Sequence, residues 1–156
     1  MQTNPPFQST MGEASIARLQ ECLRSELSAT ETYQLALSKV SHVGIHSVLQ
    51  QIFASHAVRA ERLGAHLRWI GADVTEGSGV WGAFAKIMQA SADIFGDRAA
   101  ITVLKEGEDH GLKLYVEVVQ RCDALTQSLV EKYLLPEQRR TRELCGSLKE
   151  YVSAPS

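Results

Sequence analysis

The sequence has no long hydrophobic run and no excess of charge of one sign. No apolar stretch approaches the ~18 residues of a membrane-spanning helix, so we expect no membrane partner. Sixteen Lys and Arg against 18 Asp and Glu give a formal net charge of −2. This balance gives no reason to expect nucleic acid as a partner. The first residues lack a basic region and an apolar core, so no signal peptide is predicted.

Cysteine is scarce and shows no paired pattern. Cys22, Cys122 and Cys145 form no CxxC motif. An odd, sparse count is typical of a reducing compartment, where cysteine acts as a small core residue. We therefore expect a cytoplasmic protein without a catalytic thiol. The chain also contains no Walker loop, no dinucleotide fingerprint and no HExxH motif, so none of these sites is predicted.

Helical periodicity is abundant. Apolar residues recur at alternating spacings of three and four, which indicates long amphipathic helices. The predicted long helices cover about 12–41, 44–71, 97–122 and 124–151. A shorter helix is predicted at about 80–95, with Trp81, Phe84 and Met88 packing against the others. Pro136 should kink or divide the last long helix, because proline removes a backbone donor and clashes with the preceding turn.

The loops predict how these helices connect. Short turns join the first helix to the second and the third to the fourth, which makes two antiparallel hairpins. The 25 residues between Gly71 and Asp97 can carry the chain along the length of a bundle. This connectivity predicts an all-α, ferritin-like four-helix bundle over residues 12–151. We expect a disordered tail at 1–11 and a C-terminal tail at 152–156.

Polar residues within the helical seams repeat between the two hairpins. Glu26 and Tyr33 recur 82 residues later as Glu108 and Tyr115. A second set recurs with an offset of 81: His56, Arg59, Leu63 and Leu67 match Glu137, Arg140, Leu144 and Leu148. Polar side chains aimed into a bundle usually make a site. The predicted core cluster contains Glu26, Tyr33, His56, Arg59, Glu108, Tyr115, Glu137 and Arg140. The alternative is a slightly rotated seam that leaves these side chains in solvent.

Two segments resemble proteins of the ferritin family. SELSATETY, from Ser25 to Tyr33, resembles helix A of ferritins and bacterioferritins, in which the glutamate matching Glu26 binds a di-iron centre. RAERLGAHLRWIGA, residues 59–72, resembles the end of bacterioferritin helix B. As a whole the chain is identified as a member of an uncharacterised bacterial family of ferritin-like four-helix-bundle proteins. Members of that family share the Gly-Glu-Asp sequence at 107–109 and the later tyrosine, Tyr115.

The sequence departs from the ferritin pattern at the metal ligands. A di-iron site of this kind needs a glutamate on two helices and Glu-x-x-His on the other two. The chain has His56-x-x-Arg59 and Glu137-x-x-Arg140 instead. A guanidinium has no lone pair for a metal and stays protonated. We expect the positive charges of the arginines to offset the negative charges of the inward carboxylates. The di-iron motifs are degenerate, because arginine replaces the histidine in both of them.

These patterns favour a non-enzymatic, homo-oligomeric bundle with a metal-free Glu/Arg/His core and a structural or interaction role. No catalytic residue and no cofactor are predicted. One alternative is an atypical di-metal carboxylate protein that oxidises or stores iron or manganese. Its candidate metal ligands are Glu26, His56, Glu108 and Glu137. The other alternative is a small-anion-binding bundle, whose signature would be an inward pocket lined by Arg59 and Arg140 with few carboxylates nearby.

Overall fold

The computed structural model describes residues 12–74, 77 and 83–153, and every regular element within them is helical. The elements are α1 (Glu13–Lys39), α2 (Val43–Trp69), α3 (Ala83–Phe95), α4 (Asp97–Arg121), α5 (Ala124–Leu129), a π-helical segment (Val130–Leu134) and α6 (Leu135–Ser153). The all-α prediction is therefore confirmed. The predicted tail at 1–11 and Trp81 lie outside the described residues. Helix α6 ends at Ser153, two residues beyond the predicted end at about 151.

Hydrogen bonds at the two ends of the bundle fix the directions of α1 and α4. At one end the Asp97 carboxylate accepts from the backbone N–H groups of Ser41 (3.1 Å) and His42 (3.0 Å). The start of α4 thus lies beside the α1–α2 turn. At the other end the Asp123 N–H donates to Ser15 Oγ at 3.4 Å, so α4 ends near the start of α1. The two helices are antiparallel, and the segment between α2 and α4 returns the chain along the bundle.

The packing of the helices confirms the predicted connectivity. Helix α1 packs against α2, α3 and α4, and α6 packs against α2 and α4. The second and third long helices, α2 and α4, therefore occupy opposite corners rather than forming a hairpin. The short helix α3 covers α1 and α4, and its Met88 is fully buried, as expected.

The helix ends follow local chemistry, except at the start of α4. Asp123 caps α5 by accepting from the Thr126 N–H at 3.0 Å. Gly71 ends α2 with φ of 77°, a conformation that glycine adopts without a Cβ penalty. Asp97, however, does not cap α4. It is the first residue of that helix, and its carboxylate bonds the α1–α2 turn instead.

The last long helix is divided just before Pro136, as predicted. The π-helical segment ends at Leu134, and Pro136 is the second residue of α6. Proline provides no backbone donor, and its ring clashes with the carbonyl four residues earlier. The wider π turn relieves both problems without ending the helix.

Buried apolar residues form two clusters, one towards each end of the bundle. Glu26, His56 and Glu108 are buried between them. All three cysteines are buried and free, in agreement with their expected place in the core. Among the described helices, none has the length and apolar character to cross a membrane.

Candidate functional site

A single offset of 82 residues relates the buried faces of the two hairpins. The buried pairs of α1 and α4 include Leu19 and Ile101, Cys22 and Leu104, Glu26 and Glu108, and Tyr33 and Tyr115. The buried pairs of α2 and the last helix are Ile52 and Leu134, His56 and Gln138, Arg59 and Thr141, and Leu63 and Cys145. The partners of His56 and Arg59 in the second hairpin are therefore Gln138 and Thr141.

The predicted placement of Glu137 and Arg140 in the core cluster is wrong. Their side chains are 42% and 45% exposed. Arg140 holds Glu137 at the surface through Nε at 3.0 Å and Nη2 at 2.9 Å. The error is one residue of helical phase. The offset of 81 matched Leu63 to Leu144, whereas Cys145 is the fully buried residue at that level and Leu144 is half-buried.

The Glu26 carboxylate is held by three side chains from other helices. Oε2 lies 2.5 Å from His56 Nδ1, and Oε1 lies 3.0 Å from Arg59 Nη1. The Tyr115 hydroxyl also donates to Oε1. Burial opposes ionisation of this carboxyl, but the charges of Arg59 and His56 outweigh burial and lower its pKa below the usual value. Glu26 is therefore a buried carboxylate with partners on both oxygens.

The Glu108 carboxylate has four donors. His56 Nε2 lies 2.9 Å from Oε1, and the Tyr33 hydroxyl donates to the same oxygen at 2.7 Å. Gln138 Nε2 and Thr141 Oγ1 each donate to Oε2 at 2.8 Å. Every oxygen of the two buried carboxylates thus has a donor from the chain itself.

His56 joins the two carboxylates. Burial lowers its pKa, and so does Arg59, but Glu26 and the hydrogen bonds to both carboxylates raise it above the usual value overall. A protonated imidazole offers one N–H to each carboxylate. Because Nδ1 then donates to Glu26, the 3.0 Å approach of Arg59 Nη2 to Nδ1 is a contact between two cations and not a hydrogen bond. The Glu26 carboxylate, which touches both, offsets their repulsion.

Arg59 completes the network and is only 1% exposed. Its guanidinium donates to Gln138 Oε1 and, at 3.2 Å, to Thr141 Oγ1, in addition to the Glu26 contact. Burial lowers its pKa, but Glu26 outweighs this effect and raises the pKa overall. The group is charged, because a guanidinium is not deprotonated in proteins. Two carboxylates, one imidazolium and one guanidinium sum to zero, which is the arrangement that burial of charge requires.

The candidate metal ligands are only partly brought together. Glu26, His56 and Glu108 meet at the centre, whereas Glu137 lies at the surface. Within residues 12–74, 77 and 83–153, no group of three or more His, Cys, Asp or Glu side chains is arranged to hold a metal. A metal on His56 would have to displace a carboxylate from a ring nitrogen. It would also meet the positive charge of Arg59.

A small cavity lies beside the network, where α1 faces α4. Its volume is about 30 Å³, and small residues such as Ser25, Ala29 and Gly107 line it next to Glu26 and Glu108. A space of this size admits on the order of one or two water molecules. It is too small for an organic substrate.

Two of the three buried thiols are poor nucleophiles. Burial raises the pKa of Cys145 to about 12, and burial also raises the pKa of Cys22. Both groups are therefore protonated at neutral pH, and the thiol form is a poor nucleophile.

The comparison with protein families gives a match over most of the chain. Residues 14–121 match the family described as a domain of unknown function, DUF2383. The chain belongs to this family. No curated protein and no solved structure matches it. The DUF2383 segment contains all four charged members of the network, Glu26, His56, Arg59 and Glu108, while Gln138 and Thr141 lie beyond it.

Sequence reasoning missed Gln138 and Thr141 in this DUF2383 protein, although a signal was present. Five buried residues of the last helix are spaced by four, three, four and three: Leu134, Gln138, Thr141, Cys145 and Leu148. A neutral amide and a hydroxyl within such a seam indicate hydrogen-bonding groups aimed at the core. The nearby ionisable pair Glu137 and Arg140 resembles His56 and Arg59 more closely than Gln138 and Thr141 do. This resemblance favoured the wrong helical phase for the last helix.

Proposed function

We propose that this DUF2383 protein is a ferritin-like bundle with a metal-free polar core and a structural or interaction role rather than an enzymatic one. One observation carries the proposal: all four oxygens of Glu26 and Glu108 have donors from the chain. The charges of His56 and Arg59 balance both carboxylates without an ion. The core therefore has neither a free carboxylate oxygen nor a free imidazole nitrogen to offer a metal.

The sequence at the ligand positions supports the same proposal. Once the offset of 82 is applied, His56-x-x-Arg59 and Gln138-x-x-Thr141 stand where a di-iron site needs Glu-x-x-His twice. Neither arginine nor threonine replaces the missing histidine as an imidazole ligand. The two glutamates of a di-iron site are thus retained, and both Glu-x-x-His motifs are degenerate.

A buried ionic network of this kind acts mainly on specificity. Removing one partner of a buried pair is strongly destabilising, while the intact network adds little net stability. The network ties residues of α1, α2, α4 and α6 to one another at a single level. We propose that its role is to fix the register of the four helices.

The metal-free core is tested by metal analysis of protein purified from cells grown with added iron and manganese. We expect far less than one metal ion per chain, and no binding in an anaerobic titration with Fe(II). Stoichiometric iron or manganese held between these helices would overturn the proposal and favour the di-metal alternative.

A variant with rebuilt ligands provides the matched comparison. His56→Glu, Arg59→His, Gln138→Glu and Thr141→His together restore two Glu-x-x-His motifs beside Glu26 and Glu108. We expect this variant to take up iron or manganese in the same titration. Arg140→His is the control, because it adds a histidine at the exposed position and should leave the metal content unchanged.

We also propose that the chain forms a homo-oligomer in the cytoplasm. Phe95 is 73% exposed and Val43 is 83% exposed, and both lie at the end of the bundle where Asp97 meets the α1–α2 turn. Large exposed apolar side chains at one place often mark a contact with another subunit. The three buried cysteines without disulfides support a reducing compartment.

A further inference from the structure

A groove lies on the outside of the bundle, between α2 and the last helix. Its volume is about 630 Å³, within the range of small-molecule sites. Arg59, which belongs to the core network, is buried at the bottom of the groove. The walls carry Arg62 from α2, Lys132 from the π-helical segment and Arg140 from α6.

The groove has an excess of positive charge. It is lined by four cations and by one carboxylate, that of Glu137. Glu137 is bound by Arg140, and Arg59 is paired with Glu26 inside the bundle. In the part of the chain that the structure describes, no carboxylate forms an ion pair with Arg62 or Lys132. Two cations on facing walls are therefore available to an anion.

The groove also has an apolar surface. Tyr133 and Val58 line it and are 52% and 49% exposed, and Pro136, the second residue of α6, also lines it. The Arg62 guanidinium lies 5.2 Å from the centre of the Tyr133 ring, a cation–π contact that holds Arg62 at the groove. Lys132 and Tyr133 both belong to the π-helical segment, and such segments are frequent at functional sites.

We infer that this groove binds a small organic anion with a flat apolar body. Its phosphate or carboxylate group lies between Arg62 and Lys132, and its apolar body lies against Tyr133 and Val58. The site is separate from the carboxylates of the core and does not depend on whether the core holds a metal.

The test is a titration with 1-naphthyl phosphate and 1-naphthoate, followed by calorimetry and by the backbone amide resonances of the protein. We expect saturable binding of at least one probe, with shifts centred on Val58, Lys132 and Tyr133. Arg62→Gln and Lys132→Gln should each weaken binding about tenfold, since each removes a charge-assisted contact. Both side chains are exposed, and an unchanged denaturant midpoint verifies that each variant folds. Arg139→Gln is the control, because Arg139 is exposed on α6, which borders the groove, but does not line the groove.

Two simpler probes separate the parts of the inference. Neutral 1-naphthol should bind much more weakly than 1-naphthyl phosphate, and equal binding would overturn the role of the cations. Inorganic phosphate should also bind more weakly, and equal binding would overturn the apolar contact. Absence of binding by both anionic probes, or shifts confined to other surfaces, would overturn the site itself.

Discussion

At the scale of single residues, the charge balance of the core depends most on Arg59. This side chain is buried, pairs with Glu26 and also bonds Gln138 and Thr141. Arg140, by contrast, forms an ion pair with Glu137 that is nearly half exposed. Loss of the arginine side chain should therefore destabilise the protein much more at position 59 than at position 140.

Arg59→Ala should lower the free energy of unfolding by roughly 3–5 kcal/mol, because Glu26 would lose its guanidinium partner within the core. Arg140→Ala should cost at most about 1 kcal/mol, since exposed pairs contribute little. Urea unfolding of both variants measures the difference. If Arg59→Ala unfolded at the wild-type midpoint, that guanidinium would have to lie in solvent.

His56 should make stability depend on pH above 6.5. Its pKa is raised from 6.5 by the folded state, so its stabilising contribution is present below 6.5 and is lost as the pH rises through the folded pKa. Glu26 has the opposite sign, because its pKa is lowered from 4.5 and its contribution is lost in acid. The charged groups around the ring are Glu26, Glu108 and Arg59.

We therefore expect the difference in unfolding free energy between wild type and His56→Gln to shrink as the pH rises above 6.5. His66 and His110 have lowered pKa values and act in the opposite direction, but they are present in both proteins and cancel in the difference. Chemical denaturation over a pH series gives this quantity. A difference that stays constant across the series would show that His56 is not protonated on folding.

At the scale of helices, α4 and α6 approach each other closely where Gly111 faces Gln138. A Cβ at Gly111 would lie 3.0 Å from Nε2 of Gln138 and 3.1 Å from its Cδ and Oε1. Gln138 cannot move away freely, since it bonds both Arg59 and Glu108. The glycine is therefore required by the network and not by the helix.

Gly111→Ala should destabilise the protein by about 1–3 kcal/mol through this overpacking. Gly146→Ala in α6 is the matched control, because a Cβ there meets nothing within 4 Å. It should stabilise the protein by up to about 1 kcal/mol, in line with the helix propensities of the two residues. Thermal or urea unfolding compares them, and equal gains at both positions would contradict the close approach of α4 and α6.

Much of the helical organisation could be predicted from the sequence, because apolar periodicity, Gly71 and Pro136 act locally. The phase of the last helix could not be predicted in the same way. A shift of one residue in the helical phase decides whether Glu137 or Gln138 points inward. In the wrong phase the apolar residue Leu144 falls on the inward face, so that this face resembles a normal core seam. The hydrogen bonds from the α1–α2 turn to the Asp97 carboxylate could not be predicted either, because these two chain segments meet only after folding.

At the scale of the whole molecule, the described surface leaves Phe95 and Val43 largely exposed. The side chains of Trp81 and Phe84, two further apolar residues of this part of the chain, lie outside what the structure describes. We expect a dimer or a larger assembly, with a mass above the 17.2 kDa of one chain. Light scattering measures this mass, and Val43→Ser with Phe95→Ser should reduce it. A monomer at high protein concentration would contradict the prediction.

We propose that His56 and Arg59, rather than a metal, balance the two buried carboxylates. Nitrogen-15 NMR of the His56 ring tests it most directly, at neutral pH and with Mn(II) or Zn(II) added in excess. We expect both ring nitrogens to carry protons, and the His56 signals to stay unchanged when either metal is added. A ring nitrogen without a proton that shifts or broadens on addition of metal would contradict the claim.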